Sequence, residues 1–117
     1  EHKQGYFEVF NGAGNYDASK AIPAWANPLD ITRPGIAIKS YPCCGSTHPA
    51  IDCMLELVNQ HNLKPEQVAR IDSWTHTRRL EHTNRANPQS DLDAKFSVQY
   101  TLARALKDRT VKLEHFE

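Results

Sequence analysis

The sequence predicts an α+β fold, a two-layer arrangement in which helices cover one face of a small β-sheet. Two segments, 35–41 and 68–77, have the apolar alternation or the β-branched and aromatic content that is typical of strands. Two other segments, ending near residues 61 and 107, have apolar side chains at helical spacing. Because 117 residues are about the size of one domain, we expect a single domain over residues 1–117.

The first 34 residues are predicted to be a loop-rich lead-in to a core at 35–117. A polar and glycine-rich cluster at 11–15, followed by three prolines, interrupts regular structure and leaves room for one helical turn at 17–21. Four large apolar side chains near the start need a surface to pack on: Tyr6, Phe7, Val9 and Phe10. These side chains, and the abrupt end after a strand-like segment at 111–116, lead us to expect a piece of a longer protein.

The first strand and the first helix of the core each have a local signal. Ile36 and Ile38 share one face of the strand, which favours a half-buried position. Ser46 or Thr47 can cap the helix, and Pro49 fits its first turn. The apolar stripe of this helix consists of Ile51, Met54, Leu55 and Val58.

The second half of the core begins with a turn at 64–67, which leads into the second predicted strand. Residues 78–89 contain too little apolar material for an element and are predicted to be a polar loop, a common location of functional side chains. Ser90 and Asp93 resemble a capping box, with Asp in place of Glu, that begins a helix ending near Lys107.

Composition excludes several classes of protein. The 14 basic and 14 acidic residues and a pI near 7.2 do not fit a nucleic-acid binder. No apolar run approaches the roughly 20 residues that cross a membrane, and the polar start is unlike a signal peptide, so we expect a cytoplasmic protein. Adjacent Cys43 and Cys44 with a third cysteine at 53 indicate reduced thiols, and the six histidines lack a metal-ligand spacing. We expect neither a metal nor a cofactor.

One segment, 39–48, carries candidate chemistry. It runs from the first predicted strand through a tight turn into a helix start, so that Lys39 and peptide N–H groups could face one bound anion. His48, in the first helical turn, suits a base or a hydrogen-bond donor. The simpler alternatives are a solvated lysine and a surface or capping histidine.

Two further groups have open interpretations. Cys43 and Cys44 could be nucleophiles or redox groups at a helix start, although adjacent cysteines more often serve packing. Polar residues of the 78–89 segment could meet the first cluster across the sheet edge or form a solvated loop. They are Arg78, Arg79, His82, Asn84 and Arg85.

Three motifs in order resemble the MmgE/PrpD family of 2-methylcitrate dehydratases and cis-aconitate decarboxylases. The motifs are Lys39-x-Tyr41-Pro42-Cys43-Cys44-Gly45-x-Thr47-His48, Asn84-Arg85-x-Asn87-Pro88-Gln89 and Ala94-Lys95-Phe96-Ser97-x-x-Tyr100. The resemblance implies the small α+β domain that is inserted in a larger, mostly helical protein. It also implies a homodimer that acts on di- or tricarboxylates without an iron–sulfur cluster, with its site in the cleft between the two domains.

The resemblance carries roles onto individual residues. Lys39 matches a lysine that lines the family's active site, and His48 lies in the same turn, so both are expected catalytic residues. Cys44 stands where the decarboxylase branch tends to carry a histidine, and His82 lies about where related enzymes place an aromatic residue near the substrate. Tyr41, Gly45 and Arg85, together with Cys44 and His82, are the expected substrate-binding residues.

The implied reaction is acid–base chemistry by a lyase, such as a dehydratase or decarboxylase, or by an epimerase. A base removes a proton next to a carboxylate, and cationic donors stabilise the charge that develops. Because the missing helical domain of the same protein would supply the remaining groups, the fragment alone is expected to be inactive. The alternative is a noncatalytic binding or dimerisation module of α+β type.

Overall fold

The computed structural model describes residues 5–20, 22–23 and 25–117. Its elements in this part of the chain are helical. The α-helices are α1 (Tyr6–Asn11), α2 (His48–His61), α3 (Thr77–Thr83), α4 (Asp91–Lys95) and α5 (Val98–Asp108). Short 3-10 helices occupy Ala18–Lys20, Gly45–Thr47, Pro65–Gln67 and Leu113–Phe116. None of the helices described is long and apolar enough to cross a membrane.

The predicted α+β fold is wrong, because the described residues contain no β-strand. Segments 35–41 and 68–76 have no regular secondary structure, although the backbone is extended at Val68 and at His76. A strand persists only when its N–H and C=O groups pair with a neighbouring strand. Alternation in the sequence indicates which side chains share a face, but it does not provide a strand for the backbone to pair with. The two segments are not paired with each other.

Contacts along the chain divide it into two units, Glu1–Ile38 and Lys39–Glu117. In the first unit the described residues form α1 and a single turn of 3-10 helix at Ala18–Lys20, and the rest is turns and loops. That turn lies within the predicted helical turn at 17–21, whose last residue is outside the described residues, as are residues 1–4 of the lead-in. Gly12 ends α1 at a φ of 81°, a conformation that favours glycine.

The second unit has its core between α2 and α5. Ile51, Met54 and Val58 are the buried residues of α2, and Leu102, Ala105 and Leu106 are among those of α5. Leu55 of the predicted stripe is only partly buried and packs against the edge of this core. The remaining buried hydrophobic residues of the unit are Cys43, Ala94, Val98, Val111 and Phe116.

The bounds of α2 agree with the prediction, but the predicted side-chain cap is wrong, because Thr47 Oγ1 donates to the Cys44 carbonyl oxygen and accepts no hydrogen bond from the helix. The helix follows Thr47, has Pro49 in its first turn, and ends where Asn62 adopts a left-handed conformation with a φ of 49°. The Arg109 guanidinium donates to Asn62 Oδ1 over 2.8 Å and to the Leu63 carbonyl oxygen over 3.1 Å. These bonds join the C-terminal ends of α2 and α5.

Three predictions for the second half of the chain are wrong. Residues 78–83 of the predicted loop, together with Thr77 of the predicted strand, form α3. Good helix formers follow His76, whose side chain accepts a hydrogen bond from Arg78 N, and Thr83 is buried. The predicted strand at 111–116 contains the 3-10 helix Leu113–Phe116, which places Phe116 in the core. The predicted helix from Ser90 to about Lys107 is instead two helices, α4 and α5.

The interruption between α4 and α5 has a specific cause. Ser90 caps α4 as predicted, since its Oγ accepts from Asp93 N over 3.2 Å. Ser97 then acts as a second cap, because its Oγ accepts from Tyr100 N over 3.0 Å and donates to the Arg85 carbonyl oxygen over 2.6 Å. A buried serine with both partners fixes a new helix start, which apolar periodicity alone does not reveal.

Candidate functional site

The turn at 39–48 is built around two cysteines and a buried threonine. Thr47 Oγ1 donates to the Cys44 carbonyl oxygen over 2.8 Å and lies 3.3 Å from Cys43 Sγ. The Thr47 backbone N–H donates to the same carbonyl oxygen, which closes the 3-10 turn that precedes α2. Burial raises the pKa of the Cys43 thiol, which favours its protonated form.

Lys39 lies at the entrance of this turn and is exposed. Its Nζ donates to the Cys43 carbonyl oxygen over 3.2 Å, which places the ammonium group beside the two cysteines. A small cavity of about 140 Å³ adjoins it. The cavity is lined by Lys39, Pro42, Cys43, Cys44, Lys95 and Phe96.

His48 has different surroundings from Lys39, since it is not among the residues that line this cavity. Its ring contacts the Tyr41 ring edge to face, with 5.2 Å between ring centroids. His48 Nε2 is buried and has no hydrogen-bond partner among the described residues. The ring is therefore held by Tyr41 and keeps one nitrogen free.

Tyr41 connects this histidine to the first turns of α2. Its hydroxyl donates to Asp52 Oδ1 over 2.5 Å. Burial, the hydrogen bond to Asp52 and the negative charge of that carboxylate together raise the pKa of Tyr41 to about 12. The phenol therefore stays neutral at physiological pH and acts as a hydrogen-bond donor.

His82 and Arg85 approach the same part of the unit from the 77–89 segment. His82 Nε2 lies 3.0 Å from Ser46 Oγ, which joins α3 to the turn before α2. Arg85 forms an ion pair with Asp93, and its guanidinium lies over the Phe96 ring at 5.5 Å from the centroid. Gly45 begins the 3-10 turn, is exposed, and has no atom within 4 Å of where a Cβ would lie.

The structure thus brings the predicted site residues into two small groups. Lys39 and Cys44 share the cavity, whereas Tyr41 and His48 share a ring contact. His82 reaches the turn through Ser46 rather than through any predicted site residue.

Sequence reasoning did not assign a role to Lys95 or Asp52. Lys95 lines the cavity with Lys39, and its carbonyl oxygen accepts from Cys44 N over 2.9 Å. The motif Ala94-Lys95-Phe96-Ser97 contained this lysine, but no local pattern shows that it lies beside a turn some 50 positions earlier. Asp52 is one helical turn after His48 on α2, a spacing that could have indicated a shared face.

The cavity has a lining that can bind an anion. The cavity combines two lysines with two cysteines and an aromatic wall, groups that suit a carboxylate attached to an apolar body. Within the described ranges, no group of three His, Cys, Asp or Glu residues is placed to hold a metal ion.

A comparison with protein families gives one match. Residues 41–117 match the model of the MmgE/PrpD C-terminal domain. No curated protein and no solved structure matches the chain. The match covers more than half of the chain and includes all three motifs apart from Lys39 at the start of the first one. The chain therefore belongs to the MmgE/PrpD family.

Proposed function

We propose that this chain is the small domain of a metal-independent lyase or isomerase that acts on di- or tricarboxylates such as 2-methylcitrate or cis-aconitate. Membership of the MmgE/PrpD family supports the reaction class. The observation that carries the proposal is the position of Lys39, whose ammonium is held against the Cys43 carbonyl oxygen beside a cavity.

Lys39 has the chemistry that the reaction needs. Removing a proton next to a carboxylate places negative charge on the carboxylate oxygens, and an ammonium group nearby lowers the energy of that state. A backbone carbonyl orients the ammonium without neutralising its charge, so the charge remains available to a substrate. Cys44, which lines the same cavity, then contacts the substrate and does not act as a nucleophile.

His48 is the proposed proton-transfer group, with Tyr41 as its support. Its unpartnered Nε2 can accept or donate a proton once a substrate group reaches it. Because Tyr41 remains neutral, it fixes the imidazole ring without competing for the proton. His82 and Arg85 complete the proposed substrate-binding group. The other catalytic groups would come from a helical domain of the same protein. We propose that this protein forms a homodimer.

The test uses the full-length protein and a matched pair of lysine variants. Lys39→Ala is expected to lower kcat/KM for 2-methylcitrate or cis-aconitate by about 10- to 100-fold, the value of one charge-assisted hydrogen bond. Lys107→Ala is the control, because Lys107 is an exposed lysine of α5. Unchanged turnover in Lys39→Ala would remove Lys39 from the mechanism, and no turnover of any such acid by the wild type would refute the proposed function.

A noncatalytic binding or dimerisation module is the second candidate. It is favoured by the exposed apolar side chains of the first unit, among them Tyr6 at 71%, Phe10 at 72% and Trp25 at 78% exposure. Under this alternative, Lys39→Ala and His48→Ala leave carboxylate turnover unaffected, whereas Trp25→Ala weakens association of the full-length protein in sedimentation experiments.

A further inference from the structure

The cavity beside the 39–48 turn contains a second lysine that the proposed function does not use. Lys95 is the last residue of α4 and is half-buried. The hydrogen bond from Cys44 N to its carbonyl oxygen fixes the end of α4 against the turn. The position of Lys95 relative to Cys44 is therefore set by the backbone and does not depend on a ligand.

The two lysines of the cavity lack an acidic partner. Neither Lys39 nor Lys95 lies within ion-pair distance of a carboxylate among the described residues. Lys39 donates only to a neutral carbonyl oxygen, and the Lys95 ammonium has no hydrogen bond in this part of the chain. Arg85 is different, because its charge is neutralised by Asp93. Its guanidinium also packs on the ring of Phe96, which lines the cavity.

Lys39 and Lys95 both line the cavity, so an anion bound there would meet two positive charges that no acidic side chain of the described residues neutralises. The cavity volume of about 140 Å³ exceeds the roughly 30 Å³ that one water molecule occupies in the liquid, so a carboxylate group fits. The Phe96 ring and the Pro42 ring offer an apolar wall to the carbon atoms next to that carboxylate.

We propose that Lys95 is a substrate-binding residue that holds, together with Lys39, one carboxylate group of the substrate. The inference rests on the proposed function, since it concerns the same cavity and the same class of acid. It adds that the anion lies between α4 and the 39–48 turn. Arg85, which the proposed function already counts among the substrate-binding residues, also supports the Phe96 wall through its guanidinium.

Kinetics of the full-length protein give the first test. Lys95→Met keeps most of the side-chain length without the charge, and it should raise KM for the carboxylate substrate about 10- to 100-fold with a smaller change in kcat. Lys95→Arg should restore a substantial part of the lost affinity, which a purely structural role would not predict. Lys107→Met, on the exposed part of α5, serves as the control. An unchanged KM in Lys95→Met would overturn the proposal.

A binding measurement separates this proposal from the proposed function. Citrate is the probe, and acetylation of lysines by acetic anhydride is followed by mass spectrometry in the full-length protein. Citrate should slow acetylation of both Lys39 and Lys95 several-fold and leave Lys107 unchanged. Protection of Lys39 without Lys95 overturns the inference and leaves the proposed function intact. Protection of both lysines in a protein that turns over no carboxylate supports the shared anion site and refutes the proposed function.

Discussion

The two units of the chain both contain large apolar side chains, but they differ in whether those side chains are buried. In Glu1–Ile38 none of the described residues is buried, although this unit contains large apolar side chains such as Trp25, Ile36 and Ile38. In Lys39–Glu117 apolar residues of α2 and α5 form a continuous core. The described residues of the first unit form one α-helix of six residues, whereas the two longest helices of the second unit, α2 and α5, have 14 and 11 residues.

The difference shows that hydrophobicity produces a core only when regular elements present it on one face. The α2 and α5 helices each gather their apolar residues on the side where the other helix packs. In the first unit the Tyr6 and Phe10 rings of α1 contact each other, but the prolines and glycines after α1 interrupt the chain, and the described residues of this unit contain no second α-helix to pack on them. Stability should therefore depend mainly on the second unit.

An identical substitution in each unit gives the most direct test. Ile51→Ala should lower the free energy of unfolding by about 2–5 kcal/mol, because Ile51 is 0% exposed and its truncation leaves a cavity between helices. Ile38→Ala should change it by less than about 0.5 kcal/mol, because Ile38 is 92% exposed. Urea denaturation followed by circular dichroism measures both values. Similar losses for the two variants would show that the first unit also contributes to the core.

A comparison of two serine caps in the second unit tests whether a buried hydrogen bond adds stability beyond that of the cap itself. Ser97→Ala removes the cap of α5 and a buried bond to the Arg85 carbonyl oxygen, and it should cost about 1–3 kcal/mol. Ser90→Ala removes only the exposed cap of α4 and should cost about 0.5–1 kcal/mol. The same denaturation measurement applies. Equal costs would mean that the bond from Ser97 to Arg85 contributes nothing.

The smallest effect concerns the titration of Tyr41. The pKa of Tyr41 is raised from the ordinary value of 10 to about 12, so its neutral form is favoured in the folded state. Its contribution to stability is therefore complete below about pH 10 and is lost as the pH rises through about 12. The absorbance at the phenolate band, taken as wild type minus Tyr41→Phe, should have its midpoint near pH 12.

Asp52→Asn sharpens this prediction. Removing the charge of Asp52 should lower the Tyr41 pKa only in part, because burial is the largest cause of the shift and the aspartate contributes less. A full return to the ordinary value would show that Asp52 alone sets the pKa. An unchanged midpoint would show that the negative charge of Asp52 does not contribute to the raised pKa of Tyr41.

The sequence predicted the elements that local contacts define. Pro49 and the apolar stripe indicated where α2 begins and that it ends near residue 61, and Ser90 with Asp93 gave the start of α4. The three family motifs also lie within short stretches, and the family match confirms the identification that they support. Each of these signals involves residues within a few positions of one another, where the chain itself fixes the distances.

Only the tertiary structure decided the rest. Whether segments 35–41 and 68–77 form strands depends on a paired neighbour, which alternation of side chains cannot specify. Ser97 divides the predicted last helix because its hydroxyl reaches the carbonyl oxygen of Arg85, 12 positions earlier. Lys39 and Lys95 line one cavity because α4 packs on the turn through a bond between Cys44 and Lys95. Contacts between distant residues cost loop-closure entropy, and packing across the whole fold offsets that cost. These contacts therefore do not follow from any local pattern.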